Sequence, residues 1–191
     1  DRLEIYEGTS IGGMDMIFMD HEVLLSRGYK KLHPFTPVRA FVGSTTGEIA
    51  IALKVHSRSI TICSGSASAS DAIGLGFDRI KTGAVDIAIV GGAEAPIVPA
   101  IIASFSKMGV VSTRNDDPKT AFRPFSIDRD GFILGEGGAF LVLESFEHAS
   151  SRGVRIHAEL GGFGSSCDAY HMVGPHPEGD GIRVATQRAL N

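Results

Sequence analysis

Cysteine is scarce in this chain of 191 residues: there are two, Cys63 and Cys167, far apart and without CxxC spacing. That excludes a disulfide framework and a cysteine-based zinc site, and a reducing cytoplasm fits best. Long hydrophobic runs are also missing. The longest, Ile87-Ala88-Ile89-Val90 and Ala139-Phe140-Leu141-Val142-Leu143, are far too short to span a bilayer and read as buried strands. Neither charge sign dominates, with 18 Lys and Arg against 22 Asp and Glu and a net charge of −4. No basic face for nucleic acid or anionic lipid is expected. The opening residues, Asp1-Arg2-Leu3-Glu4-Ile5-Tyr6, have no starting methionine, basic segment or apolar segment of a signal peptide, and they begin inside a strand as an internal piece does.

What is present has a globular balance, 43% hydrophobic and 21% charged, in a chain long enough for one good-sized core. The 24 glycines are dispersed at element junctions rather than gathered in a linker. Residue patterning predicts strands at 4–6, 59–62, 85–91, 138–143 and 156–164. Helices are predicted at 14–27, 47–54 (short and buried), 71–82, 99–108 and 146–152. Strand and helix alternate, which argues for an α/β protein with a largely parallel sheet covered on both faces. The polar, charged stretch from Gly109 to Asp130 is long for a loop, and its interleaved aromatics and prolines favour an ordered one that frames a site or an interface.

The most informative stretch runs from Thr61 to Gly74, TICSGSASASDAIG. β-Branched residues favour a strand, small residues allow a tight turn, and apolar spacing then starts a helix. A hydroxyl side chain at such a helix start, Ser66 here, stands beside unpaired N–H groups and the positive end of the macrodipole, where an acyl-enzyme oxyanion is favoured. Taken alone, the local pattern more often describes an N-cap serine.

Seven separated motifs then agree with one family: Gly8-Thr9-Ser10-Ile11-Gly12-Gly13, the Ser66 turn, Val90-Gly91-Gly92-Ala93-Glu94, Ser112-Thr113-Arg114-Asn115-Asp116-Asp117-Pro118, Arg123-Pro124-Phe125, Asp130-Gly131-Phe132-Ile133-Leu134-Gly135-Glu136-Gly137 and Asp168-Ala169-Tyr170-His171-Met172. In order and spacing they resemble β-ketoacyl-[acyl carrier protein] synthases, of the elongating fatty-acid type and the type II polyketide type. The resemblance implies a thiolase-like fold with α-β-α-β-α layers, incomplete in this chain. Residues 1–155 would be most of the N-terminal half, without its first strand and helix, and 156–191 the beginning of the C-terminal half.

For chemistry, the resemblance implies an acyltransferase that receives acyl groups from an acyl carrier protein onto a cysteine, with malonyl carrier protein losing CO2 to give the attacking enolate. An ungapped alignment from Arg58 to Gly92 puts Ser66 at the cysteine position, and Cys63 falls three residues early, in the strand. Using Cys63 instead requires opposing three-residue adjustments on either side. Serine in that place weakens condensation, because an alcohol needs a dedicated base and forms a less reactive oxygen ester. Malonyl decarboxylation depends on enolate stabilisation by a histidine pair and is less affected; the family's histidine motifs are expected beyond Asn191. The alternative is a non-catalytic subunit like a chain-length factor.

Phe105 and Met108 are candidates to line an acyl pocket, although an apolar helix stripe is usually core. Lys107 and Arg114 are candidates to meet the acidic carrier. Partners implied are that carrier, which brings its own phosphopantetheine, and a second subunit, identical or paired, docked along Ser59–Ile62. No metal or other cofactor is implied. His148, His157 and His171 read as structural, Asp128-Arg129-Asp130 as a solvated charged loop, and Glu136 as part of a glycine turn; Ser126 stands where the family usually has aspartate.

Overall fold

A computed structural model describes residues 2–191. In chain order its elements are strand β1 (Leu3–Gly8), helices α1 (Met14–Arg27), α2 (Thr36–Ala40) and α3 (Ser44–Leu53), strand β2 (Ser59–Ile62), helix α4 (Ser68–Lys81), strand β3 (Ile87–Glu94), helix α5 (Pro99–Lys107), strand β4 (Gly137–Glu144), and helices α6 (Phe146–Ser151) and α7 (Asp180–Leu190). They divide into two compact units. The first comprises the residues up to Thr9, Thr45–Gly92 and Ala139–Asn191; the second comprises Ser10–Ser44 and Ala93–Gly138.

The first unit is built on a four-stranded sheet ordered β2-β1-β3-β4. β1 lies parallel to both neighbours, with Ile5 opposite Ser59 on one side and Ile89 on the other. Being central, it buries nearly every side chain, including Ile5, Tyr6 and Glu7. Tyr6, Ala72, Ala88 and Val90 form the core, joined by Ile62, Ile73, Leu75, Ile80 and Leu143. Each fully buried large apolar side chain contributes about 1.5–3 kcal/mol. α4 covers β1 and β2 so closely that a Cβ on Gly8 would lie 2.1 Å from the carbonyl carbon of Ser68. Only glycine lets the strand end pass under the helix start at that distance.

Beneath this helix, Glu4 is 5% exposed and accepts from Nε and Nη2 of Arg79, each at 2.9 Å, so its carboxyl is held below the usual range chiefly by that pairing. Tyr6 also donates its hydroxyl to Glu4. In the second unit, α1 packs on α2, and Phe105 of α5 meets Phe132 edge-on at 5.5 Å.

Three sequence expectations are corrected. Residues 156–164 form no strand; the end of the segment lies against α7, where Cβ atoms on Gly162 and Gly164 would lie 2.0 Å from the carbonyl oxygens of Ala189 and Ala185. A strand requires a ladder partner, and this segment has helix backbone beside it instead. β4 is not a buried strand: Leu141 and Val142 are exposed and only Leu143 reaches the core, because β4 is an edge strand. α3 is not a buried helix either, since Thr46 is its one buried residue and no described element covers Ile51 or Leu53.

Candidate active site

β2 delivers the chain to the end of the sheet where β1 also finishes, and the next residues reverse it into α4. Gly65 takes φ +68°, a left-handed conformation that favours glycine, and opens the 3₁₀ turn Gly65–Ala67. Ser66 is the middle residue of that turn. It is exposed, and its hydroxyl makes no hydrogen bond among the described residues. The N-cap of α4 is Ala67, without a side-chain cap, so Ser66 does not serve as the capping residue. The N–H groups of the first turn carry the positive end of a 14-residue helix.

The turn is bracketed by polar contacts. Ser68, 2% exposed, accepts from the Ser64 N–H at 2.9 Å and donates to the Gly65 carbonyl at 2.5 Å. Asp71 accepts from the Ser64 hydroxyl through one carboxylate oxygen and from the Ser165 hydroxyl, at 3.4 Å, through the other. Cys63 and Cys167 are exposed and not disulfide-bonded.

In β1, Glu7 is 1% exposed. Its Oε2 accepts from the hydroxyls of Thr46 at 3.1 Å and Thr61 at 3.4 Å, and its Oε1 has no partner. Burial pushes this carboxyl above its ordinary value, against the opposing hydroxyl bonds. Sequence reasoning missed Glu7, although two carboxylates, Glu4 and Glu7, inside one central strand are the signal that marks it.

Phe105 and Met108 belong to the second unit, and Ser66 to the first. Phe105 is half-buried against Phe132, while Met108 at the end of α5 is half-exposed. The loop following α5 is ordered as expected, but Asp128 and Asp130 are not merely solvated. Asp130 accepts from the Ser112 hydroxyl at 2.7 Å and the Thr113 N–H at 2.9 Å, and Asp128 meets Arg123, Arg114 and the Ser126 hydroxyl. Serine at 126 therefore works through the neighbouring Asp128 carboxylate. These donors, Ser112 first for Asp130 and Ser126 first for Asp128, hold both carboxyls below their usual range. Arg114 is thus committed to its own loop, whereas Lys107 has no ion pair among the described residues. Glu136 accepts from the Ile97 N–H at 2.9 Å and Glu94 from the Ser10 N–H at 2.7 Å, so both tie loops together.

Among the histidines, His148 pairs with Glu144, which Arg152 also engages, and His171 accepts the N–H groups of Val173 and Gly174. His176, Glu178 and Asp180 bring ligand atoms within 4.8 Å of one another on an accessible turn, the one such grouping among the described residues. No helix among them is long and apolar enough to cross a membrane.

The family described as β-ketoacyl synthase, N-terminal domain, matches residues 2–149. The 3-oxoacyl-[acyl-carrier-protein] synthase 2 of Staphylococcus aureus is 39% identical over 191 residues, which is 100% of this chain and 47% of that protein. Among solved structures, a type II polyketide ketosynthase in complex with its acyl-carrier protein superposes with a TM-score of 0.90 at 32% identity, covering 99% of this chain and 48% of that one. The ishigamide ketosynthase/chain length factor gives 0.87 at 36% identity, covering 98% and 46%. The chain therefore spans about half the length of these relatives, and its fold is the thiolase-like one they carry.

Proposed function

The chain belongs to the β-ketoacyl synthase family, and from that premise we propose that it handles acyl and malonyl thioesters presented by an acyl carrier protein in fatty-acid or polyketide assembly. The observation that carries this reading is the exposed Ser66 on a glycine-opened turn between β2 and an uncapped helix start. An acyl group arriving there exchanges its thioester C–S bond for a C–O bond to Ser66, and the hydroxyl proton goes to the departing thiolate. The developing oxyanion is stabilised by the adjacent N–H groups. An alcohol needs a dedicated base for this transfer and gives an oxygen ester less reactive than a thioester, so condensation is impaired. Loss of CO2 from a malonyl thioester needs no covalent bond to Ser66, and it is the reaction this site favours.

On this reading Phe105 and Met108 line the acyl chain, and the phosphopantetheine arm comes with the carrier protein. Residues 1–155 and 156–191 are parts of the two thiolase-like halves, and the protein works in the cytoplasm. A second subunit pairs along β2, whose outer edge is unladdered in the sheet order. A second reading, a chain-length-factor-like subunit without catalysis, is favoured by a Ser66 hydroxyl without a partner among the described residues and by the likeness to a ketosynthase/chain length factor pair.

The test is to incubate the protein with malonyl carrier protein, alone and with a ketosynthase partner, and follow the carrier by mass spectrometry. Loss of CO2 that Ser66→Cys converts into acyl uptake supports the enzyme. An unchanged carrier in both mixtures counts against it and leaves the subunit reading.

A further inference from the structure

We propose that Asp71 and Ser68 are positioning residues for the Ser66 turn, and that Asp71 couples this turn to the segment Gly162–Ser166 anchored on α7. The inference rests on reading Ser66 as the acyl-receiving residue. A three-residue 3₁₀ turn with an exposed serine has little of its own to hold it, because short 3₁₀ geometry is weakly bonded. Here the holding is external. Ser68, buried at the first position of α4, grips the turn's entry through the Ser64 N–H and the Gly65 carbonyl. Asp71 stands three residues further along α4, so both side chains point back over the same N-terminal face.

Both oxygens of Asp71 are already engaged, one by the hydroxyl of Ser64 and the other by that of Ser165. Asp71 therefore acts through the turn and not as a base on Ser66. Ser165 in turn is fixed from behind. Its carbonyl accepts from Arg188 at 2.6 Å, the Ser166 hydroxyl donates to the Gly181 carbonyl at 2.6 Å, and Gly162 and Gly164 lie against α7 backbone. One carboxylate thus joins the turn, the start of α4 and a segment beyond residue 149, where the family match ends. Nothing in the sequence spacing marks this link, since Asp71 and Ser165 are 94 residues apart.

A thiol placed at position 66 reports the turn's geometry without requiring any catalysis. In Ser66→Cys, the pH midpoint of alkylation at residue 66, read by site-resolved mass spectrometry, is expected at about 7.5 or below, against about 8.5 for an ordinary cysteine. Adding Asp71→Ala or Ser68→Ala is expected to raise it by about one pH unit as the thiol loses its place at the helix start. Asp71→Asn keeps the anchoring groups without the charge, and is expected to leave the midpoint no higher than in the Ser66→Cys parent. Thermal midpoints of all variants separate general loosening from repositioning, and the Asp71 pair decides if Ser68→Ala does not fold.

An ordinary midpoint in the Ser66→Cys parent, or no rise with Asp71→Ala, overturns the proposal, as does an equal rise in Asn and Ala. If alkylation behaves as expected while malonyl carrier protein stays intact, the positioning stands and the proposed function falls.

Discussion

Glu7 is a carboxylic acid carried into the interior by the central strand, with one oxygen shared by two threonine hydroxyls and the other unbonded. Because burial raises its folded-state value above the ordinary 4.5, its contribution to stability is fully present below that pH and is lost as pH rises through the folded value. Glu7→Gln is expected to flatten the decline in stability above pH 5, measured by urea unfolding across a pH series; a wild-type slope in that variant would show Glu7 is not the source. Glu4 behaves in the opposite sense. Arg79 lowers its value, so its stabilisation is present above about pH 4.5 and fades as pH falls. Arg79→Ala strands a 5% exposed carboxylate and is expected to cost about 3 kcal/mol at pH 7, and less at pH 4, in the same unfolding series.

At the scale of elements, close approach of backbone decides which glycines can change. A Cβ on Gly8 collides with the Ser68 backbone, whereas the three atoms nearest one on Gly74 all belong to the Phe163 ring, a side chain rather than backbone. Gly8→Ala is expected to cost about 3 kcal/mol or more, and Gly74→Ala close to nothing once about 1 kcal/mol of helix propensity offsets the ring movement. Comparable losses in thermal unfolding for the two would contradict this ordering. Much of this architecture is legible in the residues. The apolar spacing of 14–27 and the β-branched run 59–62 give α1 and β2 to the residue, because each lies between glycine or polar boundaries. The five-residue α2 was missed because so short a run carries no periodicity, and α7 was missed although Ile182, Ala185 and Ala189 recur at helical spacing behind Asp180. The turn bearing Ser66 was readable from strand, glycine and helix in succession. Its supports were not: Asp71 and Ser165 meet only through the fold.

For the molecule as a whole, exposed apolar side chains are numerous. Phe125, Ile127 and Met172 are each almost fully exposed, and Leu25, Ile51 and Phe122 nearly three-quarters so. Surfaces of that kind mark contact sites or aggregation hazards. The 191-residue chain is expected to bind ANS in its folded state and to self-associate as concentration rises in sedimentation velocity; a dye-silent monomer at high concentration would argue that these side chains are covered. The pairing proposed along β2 has its own test. Ile5 and Thr9 donate to the carbonyls of Arg58 and Ile62, so Ser59 and Thr61 turn their backbone groups outward. Ser59→Pro is expected to preserve the fold while abolishing that association.

The register of β1 also sets a timetable for synthesis. Leu3 lies opposite Ile87, so the first strand leaves the ribosome with its β3 neighbour still some eighty codons away, a wait of about 4–17 s at ordinary elongation speeds. Through that interval the most deeply buried segment of the finished molecule is without half of its sheet. A nascent chain stalled before residue 87 is therefore a natural client for a holding chaperone, and one stalled after β3 has emerged is not.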